Sequence, residues 1–242
     1  MAYIGFFNGT NSVLSNVSQI GFKSINFKQK TQTVVTKAIS GRTIRTQQAT
    51  TLWEGTLEFP SLTHKEFRQI QGFVALAQGA LNEFDIILPN ISSRTAGGRL
   101  FNLGVEQDAD AGNTTIRCYQ TVDSAGTPIL EIEDSAGFTP SDGFTILNMG
   151  DVIRFDNHNK VYMLTTDATP DSSGAFELKI QPALTTAVKG IDSSGTTDSA
   201  GAITEITYDN VPFRMVFKGD SADYRYNVDG TVNFRIDVEE VL

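Results

Sequence analysis

Carboxylates are the only plentiful reactive side chains in this 242-residue sequence, and two groups of them could do chemistry. Glu131, Glu133 and Asp134 form one, and Glu106, Asp108 and Asp110 the other. Paired carboxylates can act as acid and base at a glycosidic bond, but that chemistry is defined by a separation in space which spacing along the chain does not supply. The second group sits in Glu-Gln-Asp-Ala-Asp-Ala-Gly-Asn, with oxygens at alternate positions before Gly112 as in a calcium loop. The bidentate glutamate that should follow is missing, and Cys118 stands in its place. Both groups are read as acids on turns that keep a β-rich region soluble.

Other reactive types are sparse. His64 and His158 lie far apart, without the i, i+4 spacing of a metal-binding helix, and the single cysteine excludes a thiolate zinc site. No Gly-x-Ser-x-Gly elbow, phosphate loop or dinucleotide fingerprint is present. Tyr224 and Tyr226 would share one strand face beside Asp220 and Asp223, but with Tyr208, Phe213, Phe217 and Phe234 they fit a core better than a sugar platform. The expectation is a non-enzyme with no catalytic residue, no metal site and no cofactor.

What must position these residues is largely β structure. From Ile20 to Phe59 the sequence reads as two long strands around Ser40-Gly41, apolar at their outer ends through Ile25, Phe27, Trp53, Leu57 and Phe59. Residues 28–51 between them hold Lys28, Lys30, Lys37, Arg42 and Arg45, no acid, and many Thr and Gln. Such a stretch has too little apolar surface to bury itself. It is either a solvated loop or an assembly arm whose packing comes from neighbouring subunits.

A helix follows. Glu58-Phe59-Pro60 ends a strand, Thr63 is a good N-cap, Glu66 stands three residues on, and Leu62 and Phe67 occupy the two ends of a hydrophobic staple. Phe67, Ile70, Val74 and Ala77 recur at helical spacing until Gly79 stops the run. Phe84 to Leu88 then makes a short buried strand before Pro89, and Ser92 to Gly98 reads as a loop.

Composition divides the rest. Residues 105–207 contain sixteen acids against five bases (Arg117, Arg154, Lys160, Lys179, Lys189), a net −11, which leaves +2 for the remainder of a chain of formal charge −9. Short strands separated by Gly and Asp turns are expected at 115–121, 129–132, 152–155, 160–165 and 176–180, as in a small β-barrel or sandwich, with a surface loop at 192–201. From Val211 the pattern changes again. Phe213, Met215 and Phe217 alternate with polar positions, and after a turn at 220–223 so do Val232, Phe234, Ile236 and Val238. Two such strands need a partner sheet. The economical organisation is a discontinuous β-sandwich domain, residues 1–104 with 208–242, carrying an inserted acidic β-domain, residues 105–207.

Acidity disfavours generic binding to nucleic-acid phosphate or anionic lipid. No stretch of about 18 apolar residues could cross a bilayer as a helix. The first residues, Met-Ala-Tyr-Ile-Gly-Phe-Phe-Asn-Gly, lack the basic and apolar segments of a secretory signal, so folding in a cytoplasm is expected.

Laid out in this way, the chain resembles the distal tail and minor tail proteins of tailed bacteriophages, a tail-tube-like group that also serves in baseplates. The resemblance is carried by Leu52-Trp53-Glu54-Gly55-Thr56-Leu57-Glu58-Phe59-Pro60-Ser61-Leu62-Thr63 running into Glu66-Phe67-Arg68-Gln69-Ile70-Gln71-Gly72-Phe73, then Gly79 and Asn82-Glu83-Phe84-Asp85-Ile86. In the inserted part it is carried by Gly150-Asp151-Val152-Ile153-Arg154-Phe155-Asp156, Lys160-Val161-Tyr162-Met163-Leu164 and Gly174 to Pro182.

The resemblance implies a mainly β fold: a tail-tube-like sandwich with one flanking helix and a long hairpin, plus the inserted small β-domain. It further implies a structural virion protein, assembled in the host cytoplasm, that forms a trimeric or hexameric ring at the end of the tail. Such a ring joins tail tube to baseplate or hub proteins, while DNA passes through its lumen without specific binding. Lys28, Lys30, Lys37, Arg42 and Arg45 would then decorate an intersubunit hairpin. Tube interiors of this group are usually acidic, so a basic segment belongs on an outward or intersubunit face. The alternative is a carbohydrate- or receptor-binding module of a phage tail, with residues 105–207 as its recognition domain. A glycan-cleaving enzyme using Glu131 or Glu133 is the weakest alternative.

Overall fold

A computed structural model of the chain describes residues 3–5, 21–47, 51–88, 91–92, 117–122, 128–133, 145, 147–155, 157–169, 176–186, 206–208, 210–220 and 224–241. In chain order the elements are β1 (Tyr3–Gly5), β2 (Ser24–Lys30), β3 (Thr33–Lys37), β4 (Thr43–Gln47), β5 (Leu52–Glu58), β6 (Leu62–Thr63), α1 (His64–Ala77) and β7 (Phe84–Ile87). They continue with β8 (Arg117–Val122), β9 (Pro128–Glu133), β10 (Val152–Phe155), β11 (Val161–Leu164), β12 (Phe176–Leu178), β13 (Ile180–Gln181) and β14 (Ile206–Thr207). The last are β15 (Phe213–Phe217), β16 (Tyr224–Tyr226) and β17 (Thr231–Glu240). The protein is mainly β, with one helix among the described residues.

Two compact units result, residues 1–88 with 212–242, and residues 89–211. The first division thus falls at Leu88/Pro89, earlier than the composition shift near Val105.

The first unit is a curled half-barrel sheet in the order β1-β7-β15-β17-β5-β2, with β16 and β6 also pairing with β17. Strict alternation builds its two faces. Along β17, Val232, Phe234, Ile236, Val238 and Glu240 are buried, while Asn233, Arg235 and Asp237 are exposed. On the buried face Phe27 stacks on Trp53 at 5.3 Å, and Phe213 meets both rings edge-on at 5.0 and 5.6 Å. Gly55 makes this possible, because a Cβ there would collide with the Phe27 ring and the Asn26 carbonyl.

The helix supplies the rest of that core. Phe73 packs edge-on against Phe84 at 5.1 Å and Phe217 at 6.0 Å, and Phe67 against Phe234 at 5.8 Å. Its buried residues are Phe67, Ile70, Phe73 and Ala77, so the expected Val74 gives way to Phe73. Both positions lie close to the apolar stripe, and the larger ring takes the inner place while Val74 is half-buried. Helical geometry ends at Ala77, with Gln78 in the left-handed conformation and Gly79 also at positive φ.

The hairpin is broken in two. β2 pairs with β5 from Ser24↔Glu58 to Lys30↔Leu52, whereas β3 pairs with β4 from Thr33↔Gln47 to Lys37↔Thr43. Two more residues lie between the ladders on the returning strand than on the outgoing one, so the register shifts by two and the parity of the faces is kept. A second difference is β16. The single turn expected at 220–223 is followed by an extra short hairpin, Tyr224–Tyr226 against Val232–Phe234, closed by a turn in which Gly230 has φ 82°.

In the second unit, β13-β11-β10-β14 form a four-stranded sheet and β12-β9-β8 a three-stranded one. Leu147, Ile153, Phe155, Tyr162, Leu164, Ala168, Leu178 and Tyr208 make its core. The expected strand at 176–180 is split into β12 and β13 around Lys179, each joining a different sheet. The loops at 93–98 and 192–201 lie outside the described residues.

Candidate assembly surface

Lys28 and Lys30 end the strand that feeds the arm, and both converge on one carboxylate. Lys28 Nζ is 3.1 Å from Glu54 Oε1, and Lys30 Nζ 3.7 Å from Oε2. Lys218, just past β15, donates to Glu54 Oε2 over 2.7 Å, reaching across β17. Lys28 and Glu239 stand directly opposite Glu54 on its two neighbouring strands. A like charge directly opposite is unfavourable in a ladder, and here the ammonium groups offset it.

Glu54 itself is buried, 7% exposed. Hydrogen bonds from Lys218 first and Lys28 second hold its carboxyl at about 2, against an ordinary 4.5. The same bond raises Lys218 above its usual range. This knot ties the root of the arm to the sheet. A neighbouring bond acts at the register break, where the Thr31 and Thr51 hydroxyls meet at 3.0 Å.

Beyond the break the arm runs uncovered. Every residue of β3 is exposed, and of the apolar ones Val34 is 43%, Val35 57% and Ile44 50% exposed. Lys37 and Arg45 lie in paired positions of the ribbon, and Arg42 in its turn. That turn is closed by Ala38 N–H to the Arg42 carbonyl and Gly41 N–H to the Ala38 carbonyl, both 2.9 Å, with Gly41 at φ 79°. Thus the five cations separate into two groups, Lys28 and Lys30 within an ion-paired stem, and Lys37, Arg42 and Arg45 on the projecting ribbon.

Thr63 and Glu66 form a complete capping box. The Glu66 carboxylate accepts from Thr63 N–H at 2.9 Å and from its hydroxyl at 2.7 Å, while the Thr63 hydroxyl accepts from Glu66 N–H at 3.4 Å. These bonds, the hydroxyl's first, lower the Glu66 carboxyl. Leu62 and Phe67, the staple positions, are both buried.

The candidates for chemistry are scattered. His64, at the first helical position, faces Tyr226 at 5.8 Å. His158, between β10 and β11, bonds through Nε2 to the Tyr162 hydroxyl at 2.7 Å, which also takes the Thr185 N–H at 3.1 Å. Tyr224 and Tyr226 pack edge-on against Phe67 at 5.3 and 5.9 Å at the margin of the helix core, but both remain exposed, 40% and 52%, so the expected core position is not taken. Glu131 and Glu133 lie on β9, opposite Tyr119 and Arg117, and Cys118 on β8 opposite Ile132. Asp134, Glu106, Asp108, Asp110 and Asp223 are outside the described residues. Among the described residues no three His, Cys, Asp or Glu side chains group as a metal site, and no helix is long and apolar enough to cross a membrane.

Sequence reasoning missed Glu54, Lys218, Asp85 and Arg214. Buried Asp85 stands opposite Arg214 in the β7–β15 ladder, with Arg214 Nε 2.9 Å from Asp85 Oδ1. Glu54 lies in a visibly alternating strand, which marks it as facing away from Trp53 and Leu57, but nothing local points to a lysine 164 residues later. No protein-family model matches this chain, and no curated protein does.

Proposed function

We propose that this chain is a structural component of a phage virion, a ring-forming protein at the distal end of the tail whose arm joins neighbouring subunits. The observation that carries the reading is the arm itself. It is a regular two-stranded ribbon, exposed on both faces, projecting from a stem held by the Glu54 ion-pair knot. A ribbon of this kind is marginal in water by itself, so its regularity is best explained by a partner surface.

The sheet supports the same reading. A half-barrel ending in β1 at one side and β2 at the other presents two different edges, each without a further strand among the described residues. Unlike edges favour head-to-tail contacts, and these generate closed rings when the rotation closes. As a finer fold, the half-barrel with its capped helix and arm constitutes a tail-tube-like sandwich domain, and residues 89–211 an inserted acidic β-domain that projects toward baseplate or hub proteins. The role is non-enzymatic, in a virion assembled in the host cytoplasm, with DNA passing the lumen unread. Negative-stain electron microscopy of the purified chain tests this. Closed rings of three or six subunits with a central channel are expected; particles without a channel or rotational symmetry would contradict it.

A further inference from the structure

The register of the arm gives it two unlike faces. The pairs Val34↔Thr46 and Thr36↔Ile44 put two apolar and two threonine side chains on one face, none of them charged. The pairs Val35↔Arg45 and Lys37↔Thr43 put both paired-position cations on the other. No described side chain of the chain's own first unit covers either face, since Val34, Val35, Lys37, Ile44 and Arg45 are all exposed.

Charge points to what does. With Lys28 and Lys30 paired to Glu54 in the stem, the ribbon itself carries three cations, Lys37, Arg42 and Arg45, and no acid, and removing those three from a formal −9 leaves −12 on the rest of the chain. A basic ribbon that no described side chain of its own unit covers finds complementary potential on another molecule of the same kind. Building on the ring-forming reading above, we infer that the arm is wrapped by a second copy of this chain, its Val34–Ile44 face buried against that copy's apolar side chains and its opposite Lys37–Arg45 face turned toward that copy's carboxylates.

The two faces then answer differently to salt. Apolar burial is little screened, whereas exposed ion pairs weaken as salt is added. Sedimentation velocity of the full chain at low and high salt compares wild type with a Val34→Ser/Ile44→Ser variant and a Lys37→Glu/Arg45→Glu variant. Circular dichroism confirms the fold of each, which the exposed position of all four residues should leave intact. The apolar pair should weaken self-association roughly tenfold or more at both salt levels, as loss of a central contact does. The charge-reversed pair should weaken it comparably at low salt and much less at high salt.

Self-association that disappears when residues 32–50 are replaced by a Gly-Ser turn, yet is unchanged in both double variants, overturns the face assignment and leaves the ring reading standing. Unchanged association in the shortened chain overturns both. If the charge-reversed variant instead loses affinity for a short DNA duplex while associating normally, the basic face reads a polyanion and the inference is wrong.

Discussion

Lys218 and Glu54, 164 residues apart in the chain, meet at 2.7 Å on the polar face of one sheet, and Lys28 completes the knot from the strand that carries the arm. Residues 212–242 therefore help to fix the direction in which a hairpin near the start of the chain projects. Closure of the first unit by β15 and β17 is a condition for a defined arm, as well as for a core.

Acid should loosen this knot. A carboxyl held at about 2 binds fewer protons folded than unfolded, so its stabilisation is complete above about 4.5 and is lost as pH falls toward 2. Replacing Glu54 by Gln leaves three ammonium groups without their shared anion and should cost about 2 kcal/mol at neutral pH, with the half-exposed lysines limiting the loss. Urea denaturation across pH 2 to 7 checks both parts. The variant's stability should fall less than the wild type's over the acid range.

Gly55 offers a sharper test of packing. Gly55→Ala would push its Cβ into the Phe27 ring and the Asn26 carbonyl, and should destabilise by roughly 1–3 kcal/mol. Because Phe27 stacks on Trp53, the only tryptophan in the chain, the fluorescence of the folded variant should change as well. An unaltered emission spectrum with unaltered stability would show that Phe27 does not lie over Gly55.

Much of this architecture is legible in the sequence, and what escapes has a physical cause. Thr63, Glu66, Leu62 and Phe67 act within one helical turn, so their spacing alone specifies the cap and staple seen here. The stem of the hairpin is legible because Phe27, Trp53 and Leu57 alternate. The register shift is not, since the sequence at 31–32 and 48–51 has no alternation of large apolar residues to fix pairing. Glu54 and Asp85 are hidden for another reason: each is satisfied by a cation brought in from β15 and its end, and local pattern holds no information about such pairs. Phe73 and Val74 are neighbours on one helical stripe, and only the positions of Phe84 and Phe217 decide between them.

Loss of the cap should be measurable without disturbing the sheet. Thr63→Ala removes the acceptor for Glu66 N–H and one donor to its carboxylate, and should cost about 1 kcal/mol. Amide exchange in the first turn of α1 should rise more than in β17. Equal protection in both proteins would mean that the box contributes nothing.

In the second unit, the Tyr162 hydroxyl is buried and shared by His158 and Thr185. Tyr162→Phe keeps the ring in the core but leaves the Thr185 N–H without that acceptor, so a loss of about 1–3 kcal/mol is expected. Thermal unfolding followed by near-ultraviolet circular dichroism would register it, and an unchanged midpoint would place the hydroxyl outside the network.

The proposed role of the arm in joining subunits is the central claim. Multi-angle light scattering of the purified chain, alongside one in which a Gly-Ser turn replaces residues 32–50, addresses it most directly. A discrete trimer or hexamer is expected that falls to monomer when the arm is removed, with Lys28, Lys30 and Glu54 still in place. The same oligomer in both proteins, or a monomer in both, would contradict it.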